Sequence, residues 1–149
     1  MSFSIKRKKT RQIMVGDVNV GGSAAIAVQS MTNTLTQDVS ATVGQIHQLE
    51  AAGCEIVRVA VPNEESALAI SEIKTKISIP IIADVHFDYR LAILAAKSGA
   101  DCLRINPGNI GGIEKIKRLI EVAKDLNISI RIGVNSGSLE KDLDRKSVV

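Results

Sequence analysis

The chain has 149 residues, 45% hydrophobic and 23% charged, enough for one globular domain with its own core. Aromatic residues make up only 2%, so the core must be built from Ile, Val, Leu and Ala, and no apolar run approaches the roughly 20 residues that a membrane helix needs. The net charge of +3 includes five positive charges at Lys6, Arg7, Lys8, Lys9 and Arg11, so the rest sums to −2; a basic arm on a slightly acidic body, without base-reading motifs or stacking aromatics, argues against a nucleic-acid partner.

Residues 1–11 are read as that basic arm. No apolar stretch follows it, so it is not a secretory signal. Residues 12–149 are read as one folded unit. "RQIMVGDVNVGG" predicts a short β-hairpin turning at Gly16 and Asp17, placed to plug one end of a barrel. The first strand is expected over 25–33, "AIAVQSMTN". A helix follows with Val39, Val43, Ile46 and Leu49 on one face, Asp38 as its N-cap and Gly53 at its end. "EIVRVAV" (55–61) is the second strand. Pro62 and Asn63 then open a helix whose first turn carries Glu64 and Glu65, favourable at the positive end of its dipole. "PIIADVHF" (80–87) is the third strand and "DYRLAILAAKSGA" the third helix. "CLRINPGNIGG" (102–112) is a fourth strand breaking into a glycine- and asparagine-rich loop. The fourth helix places Ile113, Ile116, Leu119, Ile120 and Ala123 on one side, and "ISIRIGVNSG" (128–137) is the fifth strand.

Five strands alternating with four helices predict a parallel sheet, either doubly wound or the start of a (β/α)8 barrel. Side-chain parity chooses between them. Val57, Val59 and Val61 oppose Ile56, Arg58 and Ala60; Ile81, Ala83 and Val85 oppose Ile82, Asp84 and His86. Leu103 and Ile105 oppose Cys102, Arg104 and Asn106; Ile130 and Ile132 oppose Ser129, Arg131, Gly133 and Asn135. In the first strand Ile26 and Val28 oppose Ala27, Gln29 and Met31. Each strand thus has one apolar face and one that turns polar toward its C-terminal end. A doubly wound sheet is covered on both faces and expects both to be apolar. A barrel turns one face inward and keeps its site at the C-terminal mouth. The fold class is therefore α/β, the N-terminal part of a TIM barrel preceded by a hairpin.

Arg58, Arg104 and Arg131 should face that mouth. Asp84 is the one acid on the same inward face, and it cannot neutralise three guanidinium groups. Internal pairing can account for one arginine; the surplus points to a bound polyanion, a diphosphate rather than a monophosphate, with Asn106, Asn109 and Asn135 adding hydrogen bonds. The loop "NPGNIGG" opens a helix whose free N–H groups favour anions, but it lacks the Lys-Ser/Thr of a Walker loop, and its glycines are equally read as turn-formers. Asp84 and His86 form a D-x-H pair. Two ligands fall short of a metal site, so the pair is read as orienting hydroxyls or moving a proton, with a plain hydrogen-bonded core pair as the alternative. His47 is read as surface or satisfied, and Cys54 and Cys102 as buried thiols in a reducing compartment.

The strings "VQSMTNT", "CEIVRVAVP", "ADVHFDYR", "CLRINPGNIG" and "RIGVNSGSLEKDL" closely resemble the bacterial 4-hydroxy-3-methylbut-2-enyl diphosphate synthase family, from "KRKKTR" to about Leu143. The resemblance implies a cytoplasmic iron–sulfur oxidoreductase of isoprenoid biosynthesis, on the methylerythritol phosphate route. Its members reductively open 2-C-methyl-D-erythritol 2,4-cyclodiphosphate, with two electrons arriving from flavodoxin or ferredoxin through a 4Fe–4S cluster. A homodimer is implied for the complete enzyme. Arg58, Arg104 and Arg131, with Asn135 nearby, match the residues that hold the diphosphate. The family's cluster-binding cysteines and glutamate belong to a domain after the barrel. That domain is absent from this sequence, so no metal ligand is expected in this chain. A complete barrel takes about 250 residues, and "DRKSVV" departs from the usual continuation. The expectation is an N-terminal barrel portion, inactive by itself; the alternative is a non-catalytic diphosphate-binding or assembly fragment, or a truncated relic. A pteroate synthase shares the ligand chemistry but not these strings.

Overall fold

The computed structural model describes residues 8–134. Its elements run β1 (Ile13–Val15), β2 (Val18–Val20), β3 (Gln29–Met31), α1 (Val39–Ala51), β4 (Ile56–Ala60), α2 (Glu64–Lys74), β5 (Ile81–Val85), α3 (Tyr89–Lys97), β6 (Cys102–Ile105), α4 (Pro107–Ile110), α5 (Ile113–Asp125) and β7 (Ser129–Ile132). β1 and β2 form the expected antiparallel hairpin. β3 to β7 form one parallel sheet in sequence order, with no switch point. No described helix is long and apolar enough to cross a membrane.

The starts of α1, α2, α3 and α4 are written locally, whereas α5 begins at Gly112 without a side-chain cap. Asp38 accepts a hydrogen bond from the Ala41 N–H, Asn63 from Ser66, Asp88 from Arg90 and Asn106 from Gly108, at 2.8–3.1 Å. Such caps satisfy N–H groups that no helical carbonyl can reach, and are each worth about 1 kcal/mol. Gly53 closes α1 in the left-handed region at φ +89, a conformation that costs glycine little.

The parity argument holds for β4, β5 and β6, while at the outer strands the expected apolar face is open, with Ile26, Val28 and Ile132 80%, 54% and 66% exposed. Val57, Val59, Val61, Ile81, Ala83, Val85, Leu103 and Ile105 share a single buried core with Ile46 of α1, Ile70 of α2, Ala95 of α3 and Leu119 of α5. All four long helices therefore cover the same face. On the other face Ile56, Ile82 and Cys102 pack against Val15 of the hairpin. The hairpin seals the end where these strands begin. Gly16 fits against Pro80 and Asp101, where a β-carbon would come within 2.8 Å of the Pro80 ring.

Several boundaries differ from expectation. The first strand is confined to Gln29–Met31; residues 25–28 lie outside the ladder. The fifth begins at Ser129, and of its expected span 135–137 lies outside the described residues. On α5 only Leu119 and Ala123 are fully buried, with Ile116 packed beside them. Ile113 and Ile120 are 69% and 38% exposed. They lie roughly 100–120° round the helix from Leu119 at 3.6 residues per turn, on a flank that no described element covers. The loop after β6 contains a one-turn helix, α4, anchored by the buried Ile110.

Candidate functional site

The register stacks the inward side chains in layers. Met31, Arg58, Ile82, Cys102 and Ser129 are ladder partners in one layer. Ala60, Asp84, Arg104 and Arg131 are partners in the next, nearer the C-terminal ends. Two guanidinium groups, those of Arg104 and Arg131, are thus borne side by side on neighbouring strands, an arrangement that repels unless something negative lies between or beside them.

Asp84 is the acid at the centre. Its carboxylate is 3% exposed. Oδ1 accepts from Arg104 Nη1 at 3.0 Å and lies 3.4 Å from His86 Nε2; Oδ2 lies 3.4 Å from Arg58 Nε, which reaches up from the layer below. Arg104 and Arg58 keep 20% and 30% of their side-chain surface open to solvent. Arg131 makes no ion pair among the described residues; its Nη1 donates to the amide oxygen Oε1 of Gln29. Arg58 Nε also lies 3.1 Å from the Met31 sulfur. One carboxylate therefore serves two arginines, and a third is held by a neutral acceptor.

The structure brings Arg58, His86 and Arg104 around Asp84, whereas Arg131, though the ladder partner of Arg104, reaches Gln29 beside Ile56 and the hairpin residues Val20 and Gly21. The asparagines are less uniform. Asn106 is buried and its side-chain oxygen caps Gly108, so that atom is engaged by the chain's own backbone. Asn109 is exposed on α4. Asn135 lies outside the described residues. His47 Nε2 lies 2.8 Å from the Lys76 carbonyl, a satisfied surface histidine. Phe87 is exposed with its ring centroid 5.9 Å from that of His86. Both rings border a cavity of about 300 Å³ lined also by Ala60, Pro62, Asp84 and Leu91.

Three contributors carry no chemical signature of their own: Gly133, Gln29 and Met31. A β-carbon on Gly133 would sit 2.5 Å from Arg104 Nε and Nη2 and 2.8 Å from Cζ, so only glycine leaves the guanidinium its place. The signal available for all three was their inward parity.

An iron–sulfur cluster of the kind the resemblance implies needs several thiolates. Cys54 and Cys102 are both buried, and burial pushes the Cys102 thiol up, away from the thiolate form. Among the described residues no group of three His, Cys, Asp or Glu could hold a metal. The described residues do not fit the cluster.

Comparison with known proteins agrees with this architecture. The solved 7,8-dihydropteroate synthase of Vibrio fischeri superposes with a TM-score of 0.60 at 13% identity, covering 83% of this chain and 50% of that one. A mandelate oxidase mutant superposes with a TM-score of 0.55 at 16% identity, over 74% and 43% of the two chains. These likenesses concern the fold alone. In sequence, the chain is 61% identical over 142 residues to the 4-hydroxy-3-methylbut-2-en-1-yl diphosphate synthase (flavodoxin) of Saccharophagus degradans, covering 95% of this chain and 38% of that protein. The enzyme of the same name from Chromohalobacter salexigens is 58% identical over 146 residues, 98% of this chain and 39% of the relative. The chain thus spans well under half the length of these curated relatives. The family profile described as the GcpE TIM-barrel domain matches residues 10–148, and with that match over an open, singly wound β/α sheet the chain belongs to the GcpE family.

Proposed function

We propose that this chain supplies the diphosphate-binding mouth of a 4-hydroxy-3-methylbut-2-enyl diphosphate synthase, residues 12–149 forming its substrate-binding barrel portion. The substrate is 2-C-methyl-D-erythritol 2,4-cyclodiphosphate. Its conversion takes up two electrons, breaks a ring C–O bond and loses a hydroxyl as water. The relatives' names supply the diphosphate and the flavodoxin. The observation that carries the reading is the charge imbalance: Arg58 and Arg104 share Asp84 as their only acidic partner among the described residues, and Arg131, borne beside Arg104 on β7, has no acidic partner among them. Partly hydrated guanidinium groups with spare N–H donors match phosphate oxygens in a bidentate fork.

Each residue then has a role. Arg58, Arg104 and Arg131 grip the diphosphate, with Asn106, Asn109 and Asn135 as neutral hydrogen-bonding neighbours. Asp84 spaces two of the arginines and prevents their mutual repulsion from opening the mouth. His86, half-exposed with Nε2 facing Asp84, orients a substrate hydroxyl or holds a proton at Nε2. Electron delivery through a 4Fe–4S cluster, flavodoxin or ferredoxin docking, homodimer formation and a cytoplasmic setting belong to the complete enzyme. The cluster's ligands are not met among the residues described here.

The test is reconstitution. The 149-residue chain is mixed with a polypeptide covering the remaining length of a close relative, its cluster loaded, and cyclodiphosphate reduction is assayed with reduced flavodoxin. Turnover that needs both pieces and disappears with Arg104→Ala supports the proposal. No turnover from a folded, cluster-loaded mixture favours the second reading, a non-catalytic diphosphate-binding fragment.

A further inference from the structure

Asp84 belongs to two neighbourhoods. Arg104 of β6 and Arg58 of β4 approach its carboxylate at 3.0 and 3.4 Å. The same residue borders the cavity of about 300 Å³ between the ends of β4 and β5 and the first turn of α3, a volume at the lower end of small-molecule clefts. The wall of that cavity is mostly hydrocarbon, from Ala60, Pro62 and Leu91, with the Phe87 ring beside them. Its polar neighbours are Asp84, His86 and Asp88. Asp88 is already matched by Arg90, which reaches both carboxylate oxygens at 2.8–3.1 Å.

The ladder joins the two neighbourhoods in one row. Ala60, Asp84 and Arg104 are successive partners on β4, β5 and β6, so the row passes from a methyl group through a carboxylate to a guanidinium. A side chain as short as that of Ala60 leaves the cavity open. Phe87 is 72% exposed, with its ring 5.9 Å from that of His86. A lone exposed aromatic needs no explanation. This one shares a cavity with Pro62, Leu91 and the acid of the ion cluster. A bare inorganic anion gains nothing from such a wall. A phosphate ester does, because its charged end suits guanidinium groups while its carbon skeleton gains by leaving water.

We infer that this cavity receives the carbon skeleton of an organic diphosphate, and that Phe87 and Ala60 give the mouth its preference for a short branched skeleton over bare pyrophosphate. The inference rests on the diphosphate reading above and adds the place of the uncharged part of the ligand.

The test titrates the 149-residue chain by calorimetry with two probes, inorganic pyrophosphate and isopentenyl diphosphate, a branched five-carbon chain on a diphosphate. Thermal melting of each variant is recorded in parallel. Each variant is compared with the parent for one probe at a time, because the two anions differ in charge. Phe87→Ala should weaken isopentenyl diphosphate about three- to tenfold and pyrophosphate less than about twofold. Ala60→Leu, which fills the cavity, should weaken isopentenyl diphosphate about tenfold or more and again spare pyrophosphate. If Ala60→Leu lowers melting so far that it cannot be titrated, the change at the exposed Phe87 decides alone. Parent-like affinity of Phe87→Ala for isopentenyl diphosphate overturns the inference, and so does an equal loss for both probes. A parent chain that binds pyrophosphate but not isopentenyl diphosphate removes the inference alone; one that binds neither removes the diphosphate reading and this inference with it.

Discussion

The two ends of the same strands have been put to different uses. Where the strands begin, the inward residues Ile56, Ile82 and Cys102 are sealed by Val15 of the hairpin and almost fully buried. One or two layers further along, the same rows carry Arg58, Asp84, Arg104 and Arg131, partly hydrated and with more positive than negative charge. The outer face of β4, β5 and β6 shows no such change, since it remains apolar and buried beneath the helices along each strand. One alternating pattern thus separates stability from binding along the strand axis. Changes at the base should cost folding free energy and spare the anion, whereas changes at the mouth should do the reverse.

The largest effect is expected at the base. Ile82→Ala removes a fully buried side chain and should cost about 2–5 kcal/mol in urea denaturation. Pyrophosphate affinity of the folded fraction should be unchanged; a parallel loss of affinity would break the division of labour. Asp84→Ala sharpens the comparison from the other side. It leaves Arg58 and Arg104 without their acid, and should cost about 1–3 kcal/mol, tempered by their partial hydration. Added pyrophosphate should restore more melting temperature to this variant than to the parent, because the anion replaces the missing charge. Gly133→Ala should be nearly silent in stability, below about 1 kcal/mol, yet weaken pyrophosphate about three- to tenfold by pushing the Arg104 guanidinium aside.

The smallest effect lies outside both ends. Burial pushes the Glu50 carboxyl up, but hydrogen bonds from the Ser78 N–H and hydroxyl and from the Ile79 N–H outweigh it, leaving its pKa below the usual glutamate value. A depressed folded pKa adds stability that is complete above the unfolded pKa and is lost as pH falls through the folded one. Glu50→Gln should flatten that acid limb in a melting-temperature series from neutral to acid pH, with pyrophosphate affinity at neutral pH untouched.

Much of this was legible in the residues because the signals are local or strictly periodic. The period of two placed every inward and outward strand residue before any packing was known. Asp38 and Asn63 announced their helices through short-range hydrogen bonding. What escaped depends on partners far away or on space. Ile113 and Ile120 have the right spacing for a buried stripe, but burial needs a neighbouring element on that flank, which spacing cannot report. Asn106 has the chemistry of a ligand group and spends its oxygen capping its own loop. Gly133 matters because of Arg104, nearly thirty residues earlier, and no left-handed backbone advertises it. The Gln29–Arg131 contact closes across the interior between the first and last strands of the sheet.

The central claim is that guanidinium groups outnumber the acids that face them and therefore hold a multiply charged anion. Calorimetric titration of the 149-residue chain with inorganic pyrophosphate, repeated at rising salt and with Arg104→Ala, tests it most directly. The account predicts saturable one-to-one binding that weakens as salt rises and drops about tenfold or more in the variant. Heats that never saturate, or binding that Arg104→Ala leaves intact, would contradict it.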